Sequence, residues 1–313
     1  AWYRENGGAV LSTSINKYCY ITCRYLPPFF SHKHRFVYSE VENVANISEI
    51  KHPAIKAVLE SMNWEKGGLE VHHDGDLPAR SGLGSSSSFT VGLINAITSL
   101  QGNQLSKKEL ADKAIYVEQN IIKEAVGSQD QIASAYGGIN KIEFARDDTY
   151  DVQPIILTPE KKKYLESHCM LFFTGISRYA TEAAKSQIAN MGSRKKELTR
   201  IRQTVDEALS IIDSSNSFAA ELGGLMHEAW KYKRSLSDKV SNKTIDDIYE
   251  AAIESGAYGG KLMGAGAGGF MVFMVKPELH ERVLERLKDL THVPFEFENF
   301  GGKIALYQPN GLR

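Results

Sequence analysis

The sequence predicts an α/β fold, and three observations carry that expectation. Runs rich in β-branched and aromatic residues alternate along the chain with segments of helical period. The chain has 313 residues and 42% hydrophobic content, which fits one large core or two smaller ones. A polar run, Pro159-Glu160-Lys161-Lys162-Lys163, falls near the middle and is the candidate domain boundary.

In chain order, Ala9 to Leu26 reads as one or two strands, ended by Pro27-Pro28. Phe36 to Val41 reads as a partner strand. The basic tip between them, Ser31-His32-Lys33-His34-Arg35, reads as a solvated loop end, with a phosphate contact as the sharper alternative. Ile47 to Asn63 reads as a helix, and Leu69 to Asp74 as a strand. His72 and His73 point to opposite faces of that strand and do not suit one metal ion. The loop Pro78-Ala79-Arg80-Ser81-Gly82-Leu83-Gly84-Ser85-Ser86-Ser87-Ser88 comes next. It opens a helix that buries Phe89, Leu93, Ile94, Ile97 and Leu100 on one face.

Ser106-Lys107-Lys108-Glu109 is a capping-box pattern starting a helix to about Lys123. Gly127 to Gly138 is a polar turn into a short helix closed by glycine. Strands are expected at Asn140–Ala145, Val152–Leu157 and Cys169–Thr174. Helices follow at Ala180–Asn216, interrupted near Gly192-Ser193, then at Ser217–Ser235 and Asp246–Ser255. Arg194-Lys195-Lys196 reads as a solvated helix face. A glycine run at 256–269 leads into a strand at Phe270–Val275. A helix at Glu278–Asp289 and a strand at Phe295–Tyr307, broken by Gly301-Gly302, close the chain.

Charge and cysteine content exclude several classes. The formal net charge is −1, so no bulk attraction to nucleic acid or membrane is expected. No apolar run approaches the ~20 residues of a membrane span. The chain opens Ala1-Trp2-Tyr3-Arg4-Glu5-Asn6, without an apolar leader or an initiator methionine, so more chain is expected upstream. Cys19 and Cys23 would stand ~13 Å apart along a strand at ~3.3 Å per residue, too far for a disulfide. Free thiols and a cytoplasmic location are expected.

Two stretches carry chemistry. The 78–88 loop would expose backbone N–H groups at the positive end of a helix, a site for phosphate. Its serines can cap the helix or reach a magnesium ion. It lacks the Gly-Lys-Ser/Thr of a Walker loop. Gly264, Gly266 and Gly269 satisfy a dinucleotide glycine spacing, but a helix is expected before them and a strand after, the wrong context for that fold.

Pro-x-x-x-Gly-Leu-Gly-Ser-Ser at 78–86 resembles the second signature of the GHMP small-molecule kinases, the superfamily of galactokinases, homoserine kinases, mevalonate kinases and phosphomevalonate kinases. Lys261-Leu262-Met263-Gly264-Ala265-Gly266-Ala267-Gly268-Gly269 is similar to the third. The stretches Gly7–Tyr18, Gly127–Gln131, Phe173–Arg178 and Lys239–Asn242 resemble the D-glycero-D-manno-heptose 7-phosphate kinases. The resemblance covers essentially the whole chain. It implies a two-domain fold, with an S5-domain-2-like half at 1–162 and a ferredoxin-like half, mostly antiparallel, at 163–313.

The resemblance also implies roles. ATP phosphates would meet Pro78, Arg80, Ser81, Gly82, Leu83, Gly84, Ser85, Ser86 and Ser87. Ser86 and Glu118 would hold magnesium, and Asp130 would be the general base for a sugar hydroxyl. Without the resemblance, Glu118 reads as a helix-surface acid and Asp130 as a helix cap. Thr174, Gly175, Arg178, Gly264, Ala265 and Gly266 are the candidate substrate contacts. Arg178 is the first choice for a sugar phosphate, ahead of Lys231, Arg234 and the 32–35 tip. The family's first strand, with an arginine and a Gly-Gly-Gly-Thr-Asp-like turn, is expected immediately upstream of Ala1.

The expected activity is transfer of the ATP γ-phosphoryl to the anomeric hydroxyl of a heptose 7-phosphate, for nucleotide-heptose and surface polysaccharide synthesis. The partners are ATP and a sugar phosphate, with no nucleic acid and no membrane, and a homodimer is allowed. The rivals are a fucokinase- or galactokinase-like enzyme on a neutral sugar, and a non-catalytic sensor of sugar and ATP.

Overall fold

The structure, a computed structural model, describes residues 2–79, 81–176 and 180–309. The chain forms two compact units, each discontinuous in sequence. The larger comprises Ala1–Ile15, Arg80–Leu83 and Ile139–Phe297; the smaller comprises Asn16–Ala79, Gly84–Gly138 and Glu298–Arg313. Among the described residues the strands form three four-stranded sheets.

The smaller unit holds a mixed sheet in the order Cys19–Leu26, Gly68–Gly75, His34–Val37, Val41–Val44. Its first two strands pair antiparallel with Cys19 opposite Gly75, while His34–Val37 runs parallel to Gly68–Gly75. The helix Ser85–Leu100 covers one face, burying Phe89, Leu93, Ile94 and Ile97 as its period predicts. Leu100 is only half-buried. His73 meets Phe89 on that covered face with ring centroids 4.9 Å apart, and His72 bonds Glu70 at 3.0 Å on the other, as strand alternation requires.

The expected helix at Ile47–Asn63 is broken. A short 3-10 turn, Ile47–Glu49, precedes the helix Pro53–Ser61, because Pro53 cannot donate to a carbonyl four residues back and must sit in the first turn. The helix Lys107–Tyr116 starts at a complete capping box, Ser106 with Glu109, worth ~1 kcal/mol. It stops short of Lys123 and passes into a π-helical turn, Val117–Ile121.

The larger unit carries two sheets. One has the order Phe297–Glu298, Gly8–Ile15, Ile139–Phe144, Tyr150–Pro154. The other is antiparallel, in the order Thr291–His292, Cys169–Phe173, Phe270–Val275, Ala257–Leu262. Phe172, Met271 and Phe273 face a core with Trp230, Ile245 and Tyr249, while Met274 packs the opposite face with Phe218 and Leu222. The helices Ala180–Asn190, Lys195–Ser214, Ala219–Ser235 and Lys243–Glu254 follow the expected order, with the break at Met191–Ser193.

Three further elements differ from expectation. Pro159–Lys163 opens a helix, Pro159–His168, capped by Thr158. Ala257–Leu262 is a strand despite its glycines, because Gly259 and Gly260 let the Ala219–Ser235 helix and the Phe270–Val275 strand approach closely; added Cβ atoms would lie 1.9 Å and 2.4 Å from neighbouring backbone oxygens. The expected strand Phe295–Tyr307 shrinks to Phe297–Glu298. Beyond it the chain runs against the helix Gln129–Tyr136, where Gly302 N–H donates to Ser134 at 2.8 Å. No described helix is long and apolar enough to cross a membrane.

Candidate active site

In the smaller unit, Gly84 takes a left-handed conformation at φ 73° and forms the N-cap of the Ser85–Leu100 helix. No described side chain caps that terminus, so its first-turn amides stay available to an anion. Ser85 is half-buried, Ser86 is exposed, and Ser87 is buried. Pro78 is exposed.

Asp130 stands beside this terminus. A Cβ on Gly84 would lie 3.4 Å from the Asp130 Cβ, so glycine keeps the approach open. Asp130 is the second residue of the helix Gln129–Tyr136; Ser128, not Asp130, is at the N-cap. Gln129 donates its side-chain amide to Asp130 Oδ1 at 3.1 Å. Asp130 is thus the acidic residue of that helix's first turn.

Glu118 sits in the π turn and is 1% exposed. Ser87 Oγ donates to Glu118 Oε2 at 3.0 Å, and Gln131 Nε2 donates to the same oxygen. Glu118 Oε1 is buried with no hydrogen-bond partner among the described residues. Burial raises the Glu118 pKa above the usual carboxylate range, against the neighbouring polar groups of Thr90, Gln131 and Ser87, which favour its charged form. Gln119 donates to Ser128 Oγ at 3.0 Å, tying the π turn a second time to the helix that carries Asp130.

Glu118 is therefore not a helix-surface acid. The structure brings it onto Ser87, with Ser86 exposed one position earlier. Ser87, a candidate phosphate contact, is buried against Glu118, and Gln131 is the residue that sequence reasoning missed. A glutamine directly after Asp130 in an apolar helix was the available signal, since a buried amide needs a polar partner.

In the larger unit, residues 263–269 join two antiparallel strands, so the glycine run is a hairpin loop with a strand on each side. It interlocks with Ser81-Gly82. Phe270 N–H donates to Ser81 O at 3.2 Å. A Cβ on Gly264 would stand 2.6 Å from Gly82 Cα, and one on Gly266 2.8 Å from Val240 Cα. Lys233 Nζ binds the carbonyls of Leu262 and Gly264 at 3.1 Å and 2.5 Å, and Gln187 binds that of Ala265 at 2.6 Å. Leu83 is half-buried at the end of this segment.

Thr174 is buried and donates to Gly269 O through both its N–H, at 2.9 Å, and its hydroxyl, at 2.8 Å. Gly175 is exposed at φ 73°. Arg80 and Arg178 lie outside the described residues. Among the other basic candidates, Arg234 pairs with Asp246 at 3.0 Å, and Arg35 lies 3.8 Å from Glu70. Lys231 is exposed.

The smaller unit thus brings together the N-terminus of the Ser85–Leu100 helix, Asp130 and the buried Glu118, whose Oε1 has no hydrogen-bond partner among the described residues. The chain belongs to the GHMP kinases: the family's N-terminal domain matches residues 48–138 and its C-terminal domain residues 213–291. It is 33% identical over 223 residues to D-glycero-alpha-D-manno-heptose 7-phosphate kinase from Campylobacter jejuni, a match covering 70% of this chain and 65% of that protein. It is 26% identical over 262 residues to the bifunctional fucokinase/GDP-fucose pyrophosphorylase of Arabidopsis thaliana, covering 80% of this chain and 24% of that protein. The matches thus span less than two thirds of either relative. A crystal structure of a D-glycero-D-manno-heptose 1-phosphate kinase from Bacteroides thetaiotaomicron superposes with a TM-score of 0.78 over 96% of this chain and 90% of that one; at 23% identity it shows the shared fold.

Proposed function

We propose that this chain is an ATP-dependent kinase that phosphorylates the anomeric hydroxyl of D-glycero-D-manno-heptose 7-phosphate. The observation that carries the substrate is the 33% identity to a heptose 7-phosphate kinase. The reaction class rests on family membership and on Asp130 beside Gly84 at an uncapped helix N-terminus.

In this reading the first-turn amides of the Ser85–Leu100 helix hold the nucleotide phosphates. Asp130 accepts the proton as the sugar hydroxyl oxygen bonds to the γ-phosphorus. The bond from γ-phosphorus to the β–γ bridging oxygen breaks, and ADP leaves. A buried carboxylate oxygen with no partner among the described residues fits a hard divalent cation, so Glu118 is the residue to hold magnesium, with Ser86, one position before the Ser87 that bonds it, as the further oxygen donor. Magnesium, when bound, neutralises charge on the phosphates. Arg178 remains the proposed contact for the substrate's own phosphate, and residues 264–266 the proposed lining on the sugar side. No covalent enzyme intermediate is required.

The test compares turnover on heptose 7-phosphate with turnover on unphosphorylated heptose and fucose, with the product read by phosphorus NMR. A 1,7-bisphosphate is expected. The similarity to a fucokinase favours a neutral sugar as the second reading, and preference for fucose or free heptose would replace the substrate assignment. Absence of ATP consumption with every sugar would favour a sensor.

A further inference from the structure

Glu118 receives two hydrogen bonds, and both go to one oxygen. Ser87 Oγ, from the first turn of the Ser85–Leu100 helix, donates at 3.0 Å to Oε2, and so does the Gln131 side-chain amide. Oε1 is equally buried and has no partner among the described residues. An ionised carboxylate offers about four acceptor positions, and a buried one left half-satisfied is unstable unless something else completes it. The remaining contacts do not. Thr90 lies near the carboxylate, but its hydroxyl donates to Ser86 O at 3.2 Å, and Glu124, which acts on it through its charge, is itself negative. The backbone around Glu118 is committed: its carbonyl accepts from Glu124 N–H at 2.9 Å.

We propose that Ser87 and Gln131 are positioning residues that clamp Glu118 by Oε2 so that Oε1 alone is presented to a divalent cation. The clamp has a second effect. Gln131 follows Asp130 in the chain, and Ser87 belongs to the helix turn that begins at Gly84. The Ser87–Glu118–Gln131 chain therefore fixes three things to one another: the phosphate-facing helix terminus, the cation carboxylate and the helix carrying the base. Ser87 reaches no reacting atom; it acts through Glu118. This inference rests on the proposed kinase reading only for the presence of the cation.

The experiment uses Mn2+ as the probe, with and without a non-hydrolysable ATP analogue, and reads bound metal by electron paramagnetic resonance. Ser87→Ala and Gln131→Met each remove one donor at nearly constant volume, and two variants guard against one failing to fold. Each is expected to weaken Mn2+ binding ~10-fold, the range seen when a metal ligand loses its supporting hydrogen bond. Ser87→Thr, which keeps the hydroxyl, should restore most of it. In turnover, the Mg2+ requirement of Gln131→Met should rise while kcat at saturating Mg2+ holds within a few fold, a split that a general loss of structure does not produce. Wild-type affinity in both donor variants, with binding abolished in Glu118→Gln, overturns the clamp and leaves the kinase reading standing. Unchanged Mn2+ binding in Glu118→Gln, or none in the wild type, overturns it too; sugar turnover then decides the kinase reading separately.

Discussion

A Cβ placed on Gly269 would stand 2.0 Å from the carbonyl oxygen of Ser81. No rotamer relieves that overlap, since both atoms belong to backbone. Gly269→Ala also meets the strain of φ 103°. The variant should lose ~2–4 kcal/mol or fail to fold. Gly175→Ala is the control: its φ is 73°, but no atom of the described residues lies within 4 Å of the added atom, so only ~1 kcal/mol of strain is expected. Thermal unfolding of both variants checks this, and equal shifts would refute the interlock.

Asp130→Asn keeps the shape of the side chain and removes its basicity. The turnover number should fall ~10²–10⁴-fold with little change in melting temperature. A kcat within threefold of wild type removes Asp130 from the role of base.

Glu118→Gln should stabilise the metal-free protein. A carboxyl whose pKa is raised on folding binds its proton more tightly in the native state. The stability it contributes is present below the unfolded pKa and is lost as pH rises through the folded value. Above the folded pKa, metal-free wild type therefore carries a buried charge that the variant lacks, a difference on the order of 1 kcal/mol. Urea unfolding at pH 8 and pH 5 without divalent cations tests it; the gain should shrink at pH 5.

His34 is 2% exposed, and burial, with help from Lys33, lowers its pKa to about 4. A histidine held neutral by folding costs stability once the unfolded chain begins to protonate. Stability is thus complete above the unfolded value near 6.5 and falls as pH drops toward 4, by up to about 3 kcal/mol. His34→Phe should flatten that part of the acid-unfolding curve. A variant curve parallel to wild type from pH 7 to 4 would contradict the assignment.

Burial pushes the thiols of Cys19, Cys23 and Cys169 up to about 12. The thiolate is the reactive form, so alkylation by iodoacetamide at pH 7.5 should be slow in the native protein and fast in denaturant. Mass spectrometry after timed labelling reads it directly.

Much of this architecture is legible in the sequence where local chemistry decides it. The Ser106–Glu109 box and the apolar stripe from Phe89 to Ile97 follow from hydrogen-bonding groups and period alone. The GHMP membership is legible in two short glycine-rich signatures. Tertiary contact decided the rest. Glycines at 259 and 260 argue against a strand by propensity, yet pair fully because neighbouring backbones need the space. The partner of Glu118 could not be read as Ser87 rather than Ser86, because one residue of helix rotation separates buried from exposed. The stretch after Phe297 reads as a strand by composition, but among the described residues it forms no strand past Glu298 and bends at Gly302 and Ala305.

The π turn at Val117–Ile121 closes with Ile122 N–H bonding Val117 O at 2.9 Å, five residues back, where an α-helix closes in four. It accommodates one extra amino acid in that turn. Losing a single codon between 119 and 121 would let the turn relax to α geometry with the positions on either side still in register, because the extra residue is what separates the two closures. The loss is local: the widened turn that carries Glu118 disappears, and with it the placement of the Gln119 amide that bonds Ser128 Oγ. One in-frame deletion that touches no charged residue can therefore displace the proposed cation carboxylate while the rest of the helix stays in place, and alignments of relatives should be inspected for a one-position gap there before any loss of activity is ascribed to substitutions.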